Sequence, residues 1–389
     1  MKKILRIINR FNLGGPTYNA AYLTKYLEPD YETLLIGGQH DDSEKSSMHI
    51  LDNLGLKPII IPEMQRSLNP YKDQIAFKKI QNIIKEFKPD IVHTHAAKAG
   101  ALGRRAAYKM GVNQIYHTFH GHVFHSYFGN FKTRIFKEIE KNLAKKSTKI
   151  IAISEIQKSE LSKIHKICPE NKIEVIPLGF DLERFNTDKD SKRREFRKKW
   201  NLKEKEIAIG IIGRLVPIKN HKFFIDAIQE VLKNSKVPIR AFIVGDGEEK
   251  QNIINYIKNK NLDFSLNYNP ATFHLTSWIK EIDRVNSGMD IICLTSLNEG
   301  TPVSLIEAQA SGKPIVSTKT GGIENIVLEN KTALLSEKND LHNFSKNLLS
   351  LVNDSNKRKL FSKFGLEKSK DFHYDQLVNN IKNLYEKKL

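Results

Sequence analysis

The sequence predicts an α/β protein built from two domains, each with a parallel β-sheet covered by helices. The chain has 389 residues, which is enough for two domains of ordinary size. Short apolar runs alternate with helical patterns along most of the chain, and this alternation is typical of parallel sheets with helices on both faces. From about Lys192 to Lys205 the chain is strongly charged and has no strand pattern, although a helix is expected from Arg193 to Trp200. We interpret this stretch as the entry to the second domain.

The first half begins with an apolar strand from Ile4 to Ile8, which leads into the pair Gly14-Gly15 and a helix that begins at Pro16. Glycine lets a backbone approach a ligand closely, and open α/β sheets bind ligands at the carboxyl ends of their strands. A tight turn without a ligand is the alternative for this pair. Further strands are expected at 33–36, 58–61, 91–93, 114–117 and 149–153, with a helix at 75–87.

Histidines crowd the ends of two of these strands. His93 and His95 end one strand, and four more histidines lie in the segment 117–125. A zinc site is one interpretation, but no cysteine is near and the segment 117–125 contains no carboxylate. The aromatic residues between these histidines favour packing. The strand-end position indicates that one or two of the histidines face a site.

Two cations follow the first predicted strand of the second half. The apolar strand from Ile207 to Gly213 ends in glycine, and Arg214 and Lys219 come after it. The guanidinium fork of arginine can clamp a phosphate and lysine adds a point charge, so this loop suits a phosphate-containing ligand. Exposed surface charges are the alternative. Further strands are expected at 239–244, before Gly245, at 290–294 and at 314–317, and a helical region from 366 to the end.

The segment from Asn298 to Glu307 contains a helix start that is suited to an anion. Thr301 is a good N-cap, Pro302 fits the first helical position, and Gly312 supplies a stop. A helix is therefore expected from about Pro302 to Ser311. The N–H groups of its first turn are a common seat for a phosphate.

Two carboxylates flank this helix start. Glu299 precedes it and Glu307 lies deeper in the helix, and carboxylates beside a phosphate suit hydrogen bonds from sugar hydroxyls. A nucleotide ribose would then lie on Glu307, a diphosphate over Thr301 to Ser304, and a hexose near Glu299. The alternative is that Glu299 accepts hydrogen bonds from its own loop and that Glu307 is a solvated helix residue.

The stretch Ser-Leu-Asn-Glu-Gly-Thr-Pro-Val-Ser-Leu-Ile-Glu-Ala-Gln-Ala-Ser-Gly-Lys-Pro-Ile-Val, which begins at Ser296, closely resembles the signature of the retaining GT-B glycosyltransferases of sequence family four. The resemblance covers nearly the whole chain and is sharpest from Gly210 to Val327. It implies two facing Rossmann-like domains with a cleft between them. The acceptor-binding domain would span residues 1–185 and the nucleotide-sugar-binding domain residues 186–367, with a C-terminal helix over 368–389 that crosses back to the first domain.

The resemblance implies catalytic roles for four residues at matching positions. Arg214 and Lys219 would hold the donor diphosphate, and Glu299 would position the hydroxyls of the transferred sugar. The sequence His120-Gly121-His122 resembles the family segment that presents a histidine to that sugar. We expect His120 to have this role, with His122 as the second choice.

The resemblance also implies a set of donor-binding positions. Glu307 would bind the nucleotide, and Asn220 stands where the family usually has a glycine. Because Arg214 and Lys219 supply positive charge, no metal is required and no cofactor is expected besides the nucleotide-sugar substrate. The other donor-binding positions are Gly14, Gly15, Gly213, Gly245, Gly300, Thr301, Pro302, Val303 and Ser304.

The formal net charge of +19 at pH 7 indicates an anionic partner. A generic basic surface is one alternative, and nucleic acid is another, but no nucleic-acid-binding module is recognisable and we expect no such partner. An anionic membrane surface fits best, because the cations gather in one region of the first half. They are Lys98, Arg104, Arg105, Lys109, Lys132, Arg134, Lys137, Lys141, Lys145, Lys146 and Lys149.

Composition also bears on the compartment. No stretch is apolar and long enough to span a bilayer, and Arg6, Asn9 and Arg10 interrupt the apolar run that a signal peptide requires. The only cysteines, Cys168 and Cys293, lie far apart, which is typical of a reducing compartment. We therefore expect a cytoplasmic protein, peripheral at the inner face of the cytoplasmic membrane.

The run His-Thr-Phe-His-Gly-His-Val-Phe resembles the family subgroup that builds capsule, O-antigen and other lipopolysaccharide glycans on lipid carriers. The function expected is transfer of a sugar, such as an N-acetylhexosamine, from UDP to a lipid-linked glycan acceptor. Two alternatives remain. A nucleotide-sugar epimerase on the same fold would need an acid–base pair of carboxylates in the first domain, where no candidate pair is apparent. A basic membrane- or nucleic-acid-binding module without catalysis would leave the grouping of Glu299, Glu307, Arg214 and Lys219 as coincidence.

Overall fold

The chain folds into two compact units. In the computed structural model, which describes residues 1–12, 14–40, 46–65, 67, 69–121 and 130–387, the first unit comprises Met1–Phe180 and Phe372–Leu389 and the second comprises Asp181–Asp371. The family resemblance implies boundaries after residues 185 and 367 instead. None of the helices within the described ranges is long and apolar enough to cross a membrane.

The first unit is built on a seven-stranded parallel sheet. Its strands are β1 (Lys2–Arg10), β2 (Tyr31–Gly38), β3 (Ile59–Ile60), β4 (Ile91–His95), β5 (Gln114–Phe119), β6 (Lys149–Ala152) and β7 (Ile173–Val175). They pair in the order β3-β2-β1-β4-β5-β6-β7. The helices between them are α1 (Gly15–Tyr26), α2 (Met48–Asn53), α3 (Pro70–Phe87), α4 (Ala97–Lys109), α5 (Asn130–Lys145) and α6 (Glu155–Ser159).

Helix α3 illustrates how the apolar pattern determines these elements. Its buried residues recur at helical spacing and join one core cluster with β1 and β4; they are Ala76, Phe77, Ile80 and Ile84. The helix begins at Pro70, earlier than the expected residue 75. The reason is a cap that the apolar pattern does not reveal, because the Asn69 side chain accepts a hydrogen bond of 3.1 Å from the Lys72 N–H.

The second unit also contains a seven-stranded parallel sheet. Its strands are β8 (Ile207–Ile212), β9 (Ile239–Val244), β10 (Phe264–Ser265), β11 (Phe273–Leu275), β12 (Ile291–Leu294), β13 (Ile315–Thr318) and β14 (Ala333–Ser336). They pair in the order β10-β11-β9-β8-β12-β13-β14. The helices are α7 (Glu183–Asn186), α8 (Lys189–Lys199), α9 (His221–Asn234), α10 (Lys250–Asn259), α11 (Ile282–Gly288), α12 (Val303–Ala310), α13 (Ile323–Ile326), α14 (Leu341–Asn353) and α15 (Ser355–Ser369).

The last helix, α16 (Tyr374–Glu386), belongs to the first unit although it follows the second along the chain. Its residues Leu377 and Ile381 are buried in the same cluster as Ile4 of β1 and Tyr116 of β5. The first unit is therefore assembled from both ends of the chain.

The second sheet has one reversal at its edge, where β11 lies between β9 and β10. Both sheets also reverse their strand order at a central position. In the first unit the reversal lies between β1 and β4, and in the second it lies between β8 and β12. Open parallel sheets bind ligands outside the carboxyl ends of their strands at such reversals. The prediction of two Rossmann-like α/β units is confirmed, and this topology favours a site at the loops that follow β1, β4, β8 and β12.

Candidate active site

Two loops of the second unit meet at the reversal between β8 and β12. The loop after β8 carries Lys219, whose ammonium group donates a hydrogen bond to Oε1 of Glu299 in the loop after β12. The Ser296 hydroxyl donates to the same oxygen at 2.6 Å. The Thr295 hydroxyl donates to the backbone oxygen of Lys219 at 2.9 Å and so ties the two loops together. Within the described residues Oε2 of Glu299 makes no hydrogen bond, so it can accept one from a ligand.

The backbone conformation of the loop after β8 explains why Asn220 can stand where the family usually has a glycine. Asn220 follows Lys219 and has φ and ψ of 51°, which is the left-handed region. Asparagine enters this region more readily than other residues that carry a Cβ, so it meets the same requirement as a glycine. Arg214 is exposed on the same loop, and its guanidinium makes no hydrogen bond or ion pair with the described residues.

Glycines let the neighbouring loops pack backbone against backbone. A Cβ on Gly245, where φ is +149°, would lie 1.8 Å from the backbone oxygen of Gly213. A Cβ on Gly321 would lie 1.8 Å from the backbone oxygen of Glu299. Gly245 therefore has a packing requirement that is independent of any ligand. Gly300, in contrast, is exposed and has open space at the Cβ position.

Helix α12 begins one residue later than the sequence predicts. Val303 is its first residue and Pro302 is the N-cap residue, with an extended ψ of 101°. The prediction that Thr301 is the cap is therefore wrong by one residue, because the Pro302 carbonyl accepts the first helical hydrogen bond, from the Leu305 N–H at 3.1 Å. None of the described side chains caps the helix with a hydrogen bond. The N–H groups of Val303 and Ser304 have no intrahelical acceptor and remain suited to an anion.

Glu307 lies one turn further along α12. Desolvation raises the pKa of its carboxyl to about 7, and the nearby Arg184 of α7 opposes that rise. The carboxylate makes no hydrogen bond or ion pair with the described residues. The side chain of Glu307 is thus partly buried and has no partner for its charge among the described residues.

The predicted residues of the first unit lie at the carboxyl edge of its sheet. Gly14 and Gly15 follow β1, and His120 follows β5. Nδ1 of His95, the last residue of β4, lies 3.0 Å from Nε2 of His120. Burial lowers the pKa of His120 to about 3, so the ring is neutral near pH 7. His122 lies outside the described residues, among which no group of three or more His, Cys, Asp or Glu side chains is placed to hold a metal ion.

Two residues beside these groups were not predicted. Arg6 is buried beside His95. The sequence carried a signal for it, because Arg6 is a charged residue in the middle of the otherwise apolar run of β1. Arg184 lies near Glu307, and nothing in its local pattern sets it apart from other surface arginines.

The two parallel-sheet Rossmann-like units have the GT-B fold, as comparison with solved structures shows. The glycosyltransferase from Rickettsia africae matches with a TM-score of 0.80 at 22% identity, over 99% of this chain and 98% of that one. The Anabaena protein HepE, solved in complex with UDP, matches with a TM-score of 0.78 at 19% identity over 99% of both chains. These two structural similarities show the fold of the chain.

Sequence comparison supplies the family. The model described as Glycosyltransferase Family 4 matches residues 13–184, and the model described as Glycosyl transferases group 1 matches residues 192–368. The Escherichia coli UDP-Gal:alpha-D-GlcNAc-diphosphoundecaprenol alpha-1,3-galactosyltransferase is 31% identical over 338 residues, which are 83% of this chain and 85% of that protein. The Staphylococcus aureus capsular polysaccharide biosynthesis glycosyltransferase CapM is 24% identical over 84% of both chains. The chain belongs to the group 1 glycosyl transferases.

Proposed function

We propose that this glycosyltransferase moves a sugar from UDP to a lipid-linked glycan, with retention of the anomeric configuration, during synthesis of a bacterial surface polysaccharide. The observation that carries the proposal is the junction of the β8 and β12 loops in the second unit. There Lys219 and Glu299 are paired beside the start of α12, and the unpaired carboxylate of Glu307 lies one turn further on.

The diphosphate of the donor would be held by three positive groups of the second unit. Arg214 offers a guanidinium fork without a protein partner among the described residues, and Lys219 has three donors of which Glu299 takes one. The first-turn N–H groups of α12 add a third. Charge that develops on the leaving diphosphate is stabilised by such preorganised donors, which often supply the largest single contribution to catalysis. A metal ion is not needed in this scheme.

The ribose of the donor would bind Glu307. A partly buried, desolvated carboxylate without a hydrogen-bonding partner is costly in free energy. Two ribose hydroxyls can both donate to it, which would recover that cost on binding. The raised pKa of Glu307 supports this assignment, because it reflects an environment that lacks compensating donors until the ligand supplies them.

Retention of configuration would follow from attack on the same face as the leaving group. The bond from the anomeric carbon to the diphosphate breaks as the bond to the acceptor oxygen forms, and a leaving-group oxygen takes the acceptor's proton. Glu299 has no nucleophilic role in this scheme, and the Lys219 ammonium and the Ser296 hydroxyl hold its carboxylate in place through Oε1. Its Oε2 would instead accept a hydroxyl of the transferred sugar, and His120 of the first unit would donate to that sugar.

The acceptor proposed is a lipid-linked glycan, and two relatives support it. The E. coli relative is named for transfer to GlcNAc-diphosphoundecaprenol, and the S. aureus relative for capsular polysaccharide biosynthesis. The transferred sugar is either a hexose such as galactose, as in the name of the E. coli relative, or the N-acetylhexosamine expected from the sequence. Both belong in the same screen.

Helix α5 of the first unit would bring the enzyme to an anionic membrane surface. Ile135 is 45% exposed and Ile139 is 42% exposed, one helical turn apart. Arg134 and Lys145 on the same helix are also exposed. Exposed isoleucines flanked by cations suit the interface of an anionic bilayer, where a lipid-linked acceptor resides. The enzyme would then act as a peripheral protein at the cytoplasmic face.

The test is a donor and acceptor screen without added metal. Thermal shift is measured with UDP-galactose, UDP-N-acetylglucosamine and other nucleotide sugars on the wild type and on Glu307→Ala, since a ligand that binds the native state raises its melting temperature. We expect a UDP-sugar to stabilise only the wild type. Turnover is then followed with a short prenyl-diphosphate-linked N-acetylhexosamine, and NMR of the product reports its anomeric configuration. If no nucleotide sugar binds at millimolar concentration, or if the product is inverted, the proposal is wrong.

A further inference from the structure

Arg6 of β1 is a charged residue in the core of the first unit. Its side chain is fully buried, and no carboxylate of the described residues pairs with it. Nη1 lies 3.0 Å from Nδ1 of His93 and 3.3 Å from Nε2 of His95. Within the described residues Nε and Nη2 make no hydrogen bond. A cation buried in this way is costly, and the roles assigned above make no use of it.

The contacts of Arg6 determine the tautomers of both histidines. A guanidinium donates hydrogen bonds and does not accept them, so the ring nitrogens that face Arg6 are unprotonated. Burial is the main cause that lowers the pKa of His93 and His95 well below the usual value, and Arg6 adds to it, so both rings are neutral. The proton of His93 therefore lies on Nε2, which is 2.7 Å from the Thr118 hydroxyl. The Tyr385 oxygen also accepts a hydrogen bond from Arg6, and its O–H donates to Nδ1 of His93 at 2.5 Å.

The same reasoning extends from His95 to His120. Because Nε2 of His95 faces Arg6, its proton lies on Nδ1, and this N–H points to Nε2 of His120 at 3.0 Å. Nε2 of His120 therefore accepts, and the neutral ring of His120 carries its proton on Nδ1. That nitrogen is buried and has no hydrogen-bond partner within the described residues. An unpaired buried donor costs free energy that an oxygen of a ligand would recover.

We propose that Arg6 and His95 are positioning residues that hold His120 as the Nδ1–H tautomer, so that this N–H donates to a hydroxyl of the transferred sugar. The proposal rests on the proposed function, in which His120 contacts that sugar. Free neutral histidine favours the proton on Nε2, so the relay from Arg6 reverses the intrinsic preference of the ring. Nδ1 is buried, so the hydroxyl reaches it only when the side chains around it move on donor binding.

NMR of the histidine rings tests the tautomer directly. Two-bond ¹H–¹⁵N spectra of protein labelled with ¹⁵N-histidine distinguish the two neutral tautomers, and loss of a signal in His120→Gln assigns His120. We expect Nδ1–H at His120 in the wild type and a shift towards Nε2–H in Arg6→Met. Methionine is apolar and of similar length, and it replaces a buried cation with two unpaired nitrogens, so this variant should fold. The conservative core variant Ile80→Val controls for general destabilisation and should leave the tautomer unchanged.

Variants of His95 separate positioning from packing. An asparagine side chain places an amide N–H near the position of Nδ1, so His95→Asn retains a donor towards His120. His95→Phe retains a ring but has no donor. We expect kcat to fall about tenfold in Arg6→Met and in His95→Phe, which corresponds to the loss of one well-placed hydrogen bond, and to recover largely in His95→Asn.

The outcomes distinguish this proposal from the proposed function. Nε2–H at His120 in the wild type would overturn the proposal, and so would a tautomer that is the same in Arg6→Met. A tautomer shift without any loss of kcat would refute the role of the relay in the reaction. If the wild type turns over no donor, the proposed function fails, whereas the tautomer measurement still decides whether Arg6 and His95 orient His120.

Discussion

Replacing Glu307 with glutamine should stabilise the protein at alkaline pH, although it removes a proposed ligand-binding group. In the folded protein, desolvation raises the pKa of Glu307 from its ordinary 4.5 to about 7. A folded-state pKa above the unfolded value means that ionisation of this carboxyl favours unfolding, so stability is lost as the pH rises through that interval. A tenfold change in the acid dissociation constant corresponds to about 1.4 kcal/mol, so Glu307→Gln should raise the free energy of unfolding by up to about 3 kcal/mol at pH 8.

The measurement is urea-induced unfolding of wild type and variant across this pH range. The gain should be largest above pH 7 and should shrink as the pH is lowered, until it vanishes near the ordinary pKa of 4.5. Glu248→Gln is a matched control, because Glu248 is exposed in the turn after β9. The control should unfold like the wild type at every pH. Equal urea midpoints for Glu307→Gln and wild type at pH 8 would refute the desolvated environment described for Glu307.

The same substitution should weaken binding of the donor, although it should stabilise the folded protein. The ionised carboxylate accepts hydroxyl hydrogen bonds and the protonated one does not accept both, so with a pKa of about 7 the wild type should bind a UDP-sugar about tenfold more tightly at pH 8 than at pH 6. A UDP-sugar is used because its diphosphate does not titrate in this range. Glu307→Gln should bind the UDP-sugar weakly and without this pH dependence. Arg184→Met should move the midpoint of the pH profile to higher pH, because Arg184 lowers the pKa of Glu307. A flat profile in the wild type would contradict the assignment of Glu307 to the ribose.

Three further predictions concern the β8 loop and helix α5. Lys219→Met should lower kcat by about two to three orders of magnitude in steady-state assays, because it removes a preorganised donor to the leaving group and frees Glu299; a change below about threefold would contradict this role. The double variant Arg134→Glu, Lys145→Glu should weaken binding to anionic vesicles at least about thirtyfold in sedimentation assays but spare turnover of a soluble acceptor. A charge reversal at the exposed Lys359 of the second unit should change neither the binding to vesicles nor the turnover. Asn220→Gly should unfold like the wild type, whereas Asn220→Ala should lose about 1 kcal/mol of stability, because alanine strains at the observed φ of +51°.

The regular elements were predictable where apolar runs end at clear boundaries. Strand β9 was expected at 239–244 and spans Ile239–Val244, because its apolar run is followed at once by Gly245. The start of α3 was missed because the cap at Asn69 lies outside the apolar pattern. The start of α12 differs by one residue because proline is typical of the first helical position, whereas the contact of its carbonyl with the Leu305 N–H makes Pro302 the N-cap residue here.

The candidate site was predictable in part, because strand ends gather at one edge of a parallel sheet. Lys219 and Glu299 are 80 residues apart in sequence, and their positions after β8 and β12 were enough to suggest a common site. Which atoms pair is decided by tertiary geometry. The Ser296 hydroxyl that shares the Glu299 oxygen, and the buried Arg6 that orients two histidines, depend on side-chain directions that spacing alone does not specify.

The two glutamates of the family signature have opposite environments, and this difference bears on how they act. Glu299 is fixed by Lys219 and Ser296 before any ligand arrives, so its free oxygen is preorganised for a group whose position matters to the reaction. Glu307 lacks such partners among the described residues, and the chain tolerates the cost of desolvating it. Ligand binding can recover that cost, which directs the free energy of the contact into donor affinity. Loss of Glu299 should therefore appear chiefly in kcat, and loss of Glu307 chiefly in the KM for the donor.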